Sequence, residues 1–119
     1  MEESKKQTHL EWTYKGLHCE VIQHPALGHL CGYVDLPPEH KLFGVDADEL
    51  DVNIRVHGGI TYANFTDTGN YRIGFDCAHL GDYVPALHFH FPNDHHWTAS
   101  EAVAETKRLA TQLMEVSSD

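Results

Sequence analysis

The residues best suited to chemistry fall in two short stretches of the chain, residues 57–62 (HGGITY) and residues 73–82 (IGFDCAHLGD). These stretches hold two histidines, two aspartates and a cysteine, and apolar residues typical of strands surround them. A buried Asp, Cys or His needs a hydrogen-bonding partner, so packing alone seldom places all three in one apolar strand. The two stretches therefore mark the predicted functional site.

An anion-binding surface is the first interpretation of this region. If residues 52–57 form a strand that turns at residues 58–59, alternate side chains project from one surface, and a neighbouring strand adds its own. Two arginines there would clamp a phosphate or carboxylate, and a tyrosine would stack on a base. The alternative is a solvated sheet face whose ion pairs contribute little. The predicted ligand-binding residues are Asn53, Arg55, His57, Tyr62, Arg72, Asp76, His79 and Asp82.

A divalent metal site or a cysteine nucleophile is the second interpretation. Asp76, His79, Asp82 and His57 are ligand types for a hydrolytic metal, although no tight spacing motif accompanies them. A Cys–His–Asp set around Cys77 is disfavoured, because Cys77 falls on the apolar side of its strand, opposite Asp76. No metal or other cofactor is therefore included in the prediction.

Other histidines and aromatic residues offer weaker candidates. His88 and His90 share one side of an extended segment and, with residues 95–96, suit Zn²⁺ or Cu²⁺. That segment lies outside the predicted strands, so adventitious metal binding is the favoured interpretation. Six aromatic residues would stack on a nucleobase if they line a cleft, but core and rim positions are favoured for most of them. They are Tyr14, Tyr33, Tyr62, Phe65, Tyr83 and Trp97.

The elements that position these groups are mostly short strands. Strands are predicted over residues 9–14 and 17–23, joined by a turn at Lys15-Gly16, and within residues 27–36. Residues 37–50 are predicted as a loop with one helical turn near 46–50. Strands at 52–57, 60–65 and 71–77 would then form an antiparallel meander, with a turn at residues 58–59 and a polar loop at residues 66–70.

A C-terminal helix completes the predicted fold. Apolar residues at helical spacing run through residues 99–116, and Thr98 with Glu101 forms a capping box at its start. The prediction is an α+β fold, a curved antiparallel sheet with one packed C-terminal helix. Residues 1–8 form a frayed tail, and residues 9–119 form a single domain.

Composition narrows the function classes. Ten more acidic than basic side chains give a formal charge of -10, which disfavours binding to bulk DNA or RNA. No apolar run approaches the roughly 20 residues of a membrane span, and the N-terminus lacks the apolar core of a signal peptide. Three cysteines without a CxxC pair disfavour a disulfide framework. We therefore expect a cytosolic protein that binds no membrane.

The two stretches, HGGITY and IGFDCAHLGD, resemble those of a family of small proteins encoded by bacteriophages and prophages. The resemblance extends to residues 32–37 (GYVDLP) and to the helix around residues 101–113, whereas residues 87–97 look peculiar to this chain. Membership would imply a phage origin and action in the host cytoplasm. A similarity to anti-CBASS viral sponge proteins would imply sequestration of a cyclic nucleotide signal without cleavage.

Three functions follow as expectations. The first is a binding module that captures a small cyclic nucleotide and works as a homo-oligomer, because a neighbouring subunit often completes such a pocket. The second is a metal-assisted phosphodiesterase or other hydrolase. The third is a protein–protein inhibitor in which the polar cluster is only structural. The sequence leaves open whether the protein is an enzyme.

Overall fold

The computed structural model describes residues 8–117, so residues 1–7 of the predicted tail lie outside the described part. It has an antiparallel sheet of five strands, one short helix and one long C-terminal helix, which confirms the predicted α+β fold. The strands are β1 (His9–Tyr14), β2 (Leu17–Gln23), β3 (Leu30–Leu36), β4 (Tyr62–Phe65) and β5 (Tyr71–Asp76), and the helices are α1 (Ala47–Leu50) and α2 (Ala99–Ser117).

The strands lie in the order β1-β2-β3-β5-β4, so β3 is central and pairs with β2 and β5. The β1–β2 hairpin turns at Lys15 and Gly16, whose φ values of 53° and 82° are those a two-residue turn requires. The bounds predicted for β1 and β2 are confirmed, and so is the helical turn near residues 46–50, where α1 lies.

Helix α2 covers one face of the sheet and makes its contacts with β2 and β3. Its core-facing stripe is fully buried and consists of Ala102, Thr106, Leu109, Ala110 and Leu113. The predicted capping box is confirmed, because the Thr98 N–H donates to Glu101 and the Glu101 N–H donates to the Thr98 hydroxyl. Within residues 8–117, neither helix is long and apolar enough to cross a membrane.

The strand predicted at residues 52–57 is wrong, and with it the hairpin at residues 58–59 and the three-strand meander. Residues 51–60 form a loop of turns, and β5 pairs with β3 on one side and β4 on the other. Ile54 and Val56 are buried, whereas Val52 is 66% exposed. The alternation of residues 52–57 therefore does not indicate a paired strand, and only two of its three apolar residues are buried.

The sheet face opposite α2, here called the open face, carries the polar side chains of alternate strand positions. Register places Glu20 opposite both Glu11 and Tyr33, and Asp35 opposite Arg72. The predicted site residues therefore lie in three places: on the open face, in the loop on the α2 side, and at the end of β5.

Candidate functional site

Arg72 lies on the open face, where two carboxylates occupy its guanidinium. Its Nε donates to Asp35 Oδ1 at 2.7 Å, and its NH2 donates to Glu20 Oε1 at 2.5 Å. Both carboxylates are buried, which would raise their pKa values. Hydrogen bonds with His9 and Arg72 lower the pKa of Glu20 instead, and those with Arg72 and His18 lower the pKa of Asp35. Tyr62 lies on the same side, edge-on to Tyr33. Arg72 is therefore a structural cation that binds these two carboxylates.

Arg55 lies on the other side of the molecule, beside α2. The Gln112 side chain pairs with both backbone groups of Arg55, at 2.7 Å to its N–H and 2.8 Å to its carbonyl. Asn53 belongs to the same loop and is exposed. The prediction that Arg55 and Arg72 share one surface is wrong, because residues 52–57 pack along the helix and do not extend the sheet.

Four predicted residues do come together, at the end of β5. This imidazole–carboxylate cluster consists of His57, Asp76, His79 and Asp82, with Trp97 beside it. His57 Nε2 lies 2.8 Å from Asp82 Oδ2, and the His57 ring lies 4.6 Å from the Trp97 ring, centroid to centroid. The rings of His57 and His79 meet edge to face at 5.6 Å.

Asp82 is the centre of the cluster, and its side chain is only 3% exposed. Besides His57, it accepts hydrogen bonds from Trp97 Nε1 and from the His79 backbone N–H, each at 3.0 Å. Burial alone would raise the pKa of this carboxyl, but the three donors outweigh it and lower the pKa. Asp82 therefore stays ionised and fixes the orientation of the His57 ring.

The rest of the cluster is positioned by the backbone. The His57 N–H donates to Glu105 Oε2 on α2 at 2.7 Å, which attaches the loop to the helix. Asp76 Oδ1 accepts from the Ala78 N–H and lies 3.0 Å from His79 Nε2. His79 Nε2 is buried and has no hydrogen-bond partner among residues 8–117, so this close contact with Asp76 is not a hydrogen bond.

A cavity of about 260 Å³, here called the His29 cavity, lies behind Trp97. His29, Tyr83, His96, Trp97 and Gln23 are among the residues that line it. His29 is 6% exposed, and its Nδ1 is buried without a hydrogen-bond partner among residues 8–117. Burial, helped by the neighbouring His24 ring, lowers the pKa of His29, so its imidazole is neutral near pH 7.

A second recess, here called the Arg55 groove, lies on the other side of His57. It has a volume of about 370 Å³, and its lining includes Arg55, His57, Gly59 and Arg108. Glu105 binds the Arg108 guanidinium, whereas no carboxylate of residues 8–117 forms an ion pair with Arg55. Because His57 lines the groove and contacts Trp97, which lines the His29 cavity, the two spaces are separated by one pair of rings.

The cluster is not arranged as a metal or cysteine centre. Within residues 8–117, its side chains bring no three ligand atoms within 4.8 Å of one another. Cys77 is buried, and burial raises the pKa of its thiol far above neutrality, so the thiolate is not the resting form. What the arrangement offers is an oriented imidazole that lines the Arg55 groove and contacts Trp97, a residue in the wall of the His29 cavity.

Two histidines of the 88–96 segment, His90 and His96, contact the ring of Tyr83. His96 stacks on Tyr83 at 3.8 Å, and His90 lies 4.4 Å away and bonds the Val84 carbonyl through Nε2. His88 is exposed. Of these rings, Tyr83 and His96 line the His29 cavity.

His29 is the cavity residue that the sequence analysis missed. Its signal is weak, because one histidine before the strand residues 30–36 carries no spacing motif. Residues 77–97 fold back over His29 and add Tyr83 and Trp97 to the cavity wall.

Comparison with known protein families, curated proteins and solved structures gave no significant match. The resemblance to phage proteins therefore stays a prediction.

Proposed function

We propose that this protein binds and sequesters a small cyclic nucleotide signal without converting it, as a phage-encoded anti-defence protein acting in the host cytoplasm. The observation that supports the proposal most is His29, which lines a cavity with ring side chains in its walls and whose buried Nδ1 has no hydrogen-bond partner among residues 8–117. An unpaired buried polar atom costs free energy, and a ligand that bonds to it recovers that cost.

The His29 cavity is the proposed base site. At about 260 Å³ it is smaller than the roughly 300–1,000 Å³ of sites for drug-sized ligands, so it suits one heteroaromatic ring and not a whole dinucleotide. Tyr83 and Trp97 offer ring faces, and stacking contributes about 1–3 kcal/mol per base. Because the imidazole of His29 is neutral, it can form a hydrogen bond with the edge of an uncharged base.

The Arg55 groove is the proposed phosphate site. Arg55 is the exposed arginine whose guanidinium forms no ion pair within residues 8–117, and Gln112 fixes its backbone. A guanidinium binds phosphate through two parallel N–H donors. His57 lines the same groove, so a nucleotide crossing the His57–Trp97 pair reaches both sites. Arg72 and Tyr62 lie on the open face and line neither of these two sites.

Sequestration is favoured over hydrolysis by the state of Asp82. Three donors are bound to its two oxygens and its side chain is only 3% exposed, so its carboxylate is poorly accessible to a reacting water or metal. Hydrolysis and protein–protein inhibition remain as the competing functions, and the experiment below separates all three.

The test is a nucleotide panel of cyclic di-AMP, cyclic di-GMP and cyclic AMP, read by melting temperature and calorimetry. A ligand at 100 times its Kd adds about 2.7 kcal/mol to stability, which raises Tm by several degrees. The complex is then heat-denatured, and the released compound is identified by chromatography. Intact nucleotide supports sequestration, fragments support the hydrolase, and no Tm shift with any probe supports the inhibitor.

Matched variants test the two sites. Arg55→Ala should weaken binding by about 10–100-fold, the equivalent of one charged hydrogen-bonding group, whereas Lys41→Ala removes the same charge elsewhere and should not. Tyr83→Leu should weaken binding, and Tyr62→Leu on the open face should not. The opposite ranking of the two tyrosine variants would place the ligand on the open face and contradict the assignment of sites.

A homo-oligomer belongs to the proposal, because the two recesses enclose only part of a cyclic dinucleotide. A second copy would then cover the exposed remainder of the ligand. Light scattering after size exclusion, with and without bound nucleotide, measures this. If the complex stays monomeric and binds the nucleotide with unchanged affinity, the homo-oligomer is excluded. The two proposed sites are not contradicted by that result.

A further inference from the structure

The open face carries a second cluster, whose residues line neither the His29 cavity nor the Arg55 groove. His9 Nε2 on β1 lies 2.5 Å from Glu20 Oε2 on β2 and 3.2 Å from Glu11 Oε2 on β1. These three ligand atoms all lie within 4.8 Å of one another, and no other His, Cys, Asp or Glu set in residues 8–117 does the same. Their convergence follows from register, because Glu11 and Glu20 are direct cross-strand partners.

The negative charges of this cluster favour binding of a cation. Two glutamates directly opposite each other on neighbouring strands repel and destabilise the pair. The nearest arginine, Arg72, donates to Glu20 Oε1 and to Asp35 on the β3 side. It leaves Glu20 Oε2 facing His9 and Glu11, so on the β1 side the groups of residues 8–117 that can offset these carboxylates are the imidazoles of His9 and His18.

The cluster combines one fixed ligand with two accessible ones. The Glu20 side chain is 10% exposed and held by Arg72, whereas those of His9 and Glu11 are 56% and 53% exposed. A metal ion could enter from solvent, and water could fill its remaining positions. His18 Nε2 lies 3.7 Å from the other Glu11 oxygen, as an outer partner that orients a ligand does.

We propose that His9 Nε2, Glu11 and Glu20 bind one divalent transition-metal ion, represented here by Zn²⁺, with water completing the coordination. One imidazole and two carboxylates are donors that Zn²⁺ and its first-row neighbours accept. Metal binding replaces the hydrogen bond between His9 and Glu20, and the exposed His9 side chain moves away from Glu20 to admit an ion at about 2.0–2.1 Å from each ligand atom. Because its ligands come from β1 and β2, it fastens the edge strand to the sheet and removes the repulsion between the two glutamates.

The test is a Zn²⁺ titration of the full chain without a histidine tag, followed by calorimetry and by melting temperature. The expected result is one ion per chain and a raised Tm. His9→Ala and Glu11→Gln should each weaken Zn²⁺ by more than the roughly 10–100-fold cost of losing an outer-shell group. Both side chains are exposed, so the metal-free variants should stay folded.

The matched control is His95→Ala, because His95 also forms an exposed pair with a glutamate, 3.0 Å from Glu101, but lacks a third ligand. Zn²⁺ affinity should be unchanged in this variant. Visible absorption of bound Co²⁺ gives a second readout, which His9→Ala should alter. Stoichiometric Zn²⁺ binding that survives His9→Ala, or that is lost in His95→Ala or His88→Ala, overturns the site.

Discussion

The imidazole of His79 lies against the backbone of Gly58, in the space that a side chain at residue 58 would need. A Cβ built on Gly58 would lie under 3.0 Å from His79 Nε2, and Gly58 has a φ of 70°. The contact joins the two stretches that carry the candidate site. Glycine at residue 58 therefore lets His79 reach Asp76 and the ring of His57.

Gly58→Ala should destabilise the fold and displace His79. A non-glycine residue at this φ costs about 1–3 kcal/mol, and the displaced ring adds the loss of its contacts. Urea unfolding measures the free energy change. Gly69→Ala is the matched control, because Gly69 has a φ of 89° but no atom within 4 Å of the added Cβ. Equal losses in the two variants would show that His79 does not fill the space at Gly58.

Asp82→Asn should destabilise the protein by about 1–3 kcal/mol, the cost of leaving a buried donor unpaired. Asp82 accepts from His57, Trp97 and the His79 backbone, and the amide group of Asn would face at least one of these donors. Asp94→Asn is the control, because Asp94 accepts one backbone N–H in an exposed turn. Unfolding free energies from urea titrations that match in the two variants would contradict the central role of Asp82.

The same carboxylate predicts a pH dependence with a definite sign. Its hydrogen bonds hold the pKa of Asp82 below the ordinary 3.8 in the folded protein, so the unfolded chain takes up the proton first. The stabilising contribution is complete above that value and is lost as pH falls through the folded pKa. The difference in unfolding free energy between wild type and Asp82→Asn should therefore shrink below about pH 4. A difference that stays constant from pH 7 to pH 3 would exclude this linkage.

Local patterns in the sequence predicted where several strands and the long helix lie, but they did not predict which strands pair. Alternation and the Lys15-Gly16 turn specify β1 and β2, and the capping box specifies the start of α2. Residues 52–57 alternate equally well, yet their buried side chains anchor a loop. The pairing of β3 with β5 spans about 40 residues of chain, and no local signal encodes it.

Three of the four members of the imidazole–carboxylate cluster lie close together in the sequence, and His57, from the other stretch, was grouped with them by residue type. Asp76, His79 and Asp82 fall within one turn-rich segment, and the contact of His57 with Asp82 agrees with grouping them. Arg72 was misassigned because its carboxylate partners, Glu20 and Asp35, come from other strands. Sheet register decides which charged side chains face one another. Register cannot be read from the composition of a single strand.

Gly32→Ala should separate α2 from the sheet. A Cβ on Gly32 would lie under 3.0 Å from Thr106 Oγ1 and from the Phe75 ring, both fully buried. Overpacking of this kind costs about 1–3 kcal/mol, measured by thermal unfolding. The double variant with Thr106→Ala removes one of the two contacts and should recover part of the loss. Strictly additive losses would mean that residues 32 and 106 do not touch.

Gln112→Met should release the loop that carries Arg55 while keeping the length of the side chain. The amide of Gln112 makes hydrogen bonds of 2.7 and 2.8 Å to the backbone of Arg55, and each bond contributes about 0.5–1.5 kcal/mol. Amide hydrogen exchange should show faster exchange of the Arg55 N–H with unchanged protection in β5, since the sheet does not depend on this contact. Lys107→Met, elsewhere on α2, is the control and should leave Arg55 protected. If Arg55 exchanges at the same rate in both variants, the loop is held by Ile54 and Val56 in the core, and Gln112 does not position the proposed phosphate site.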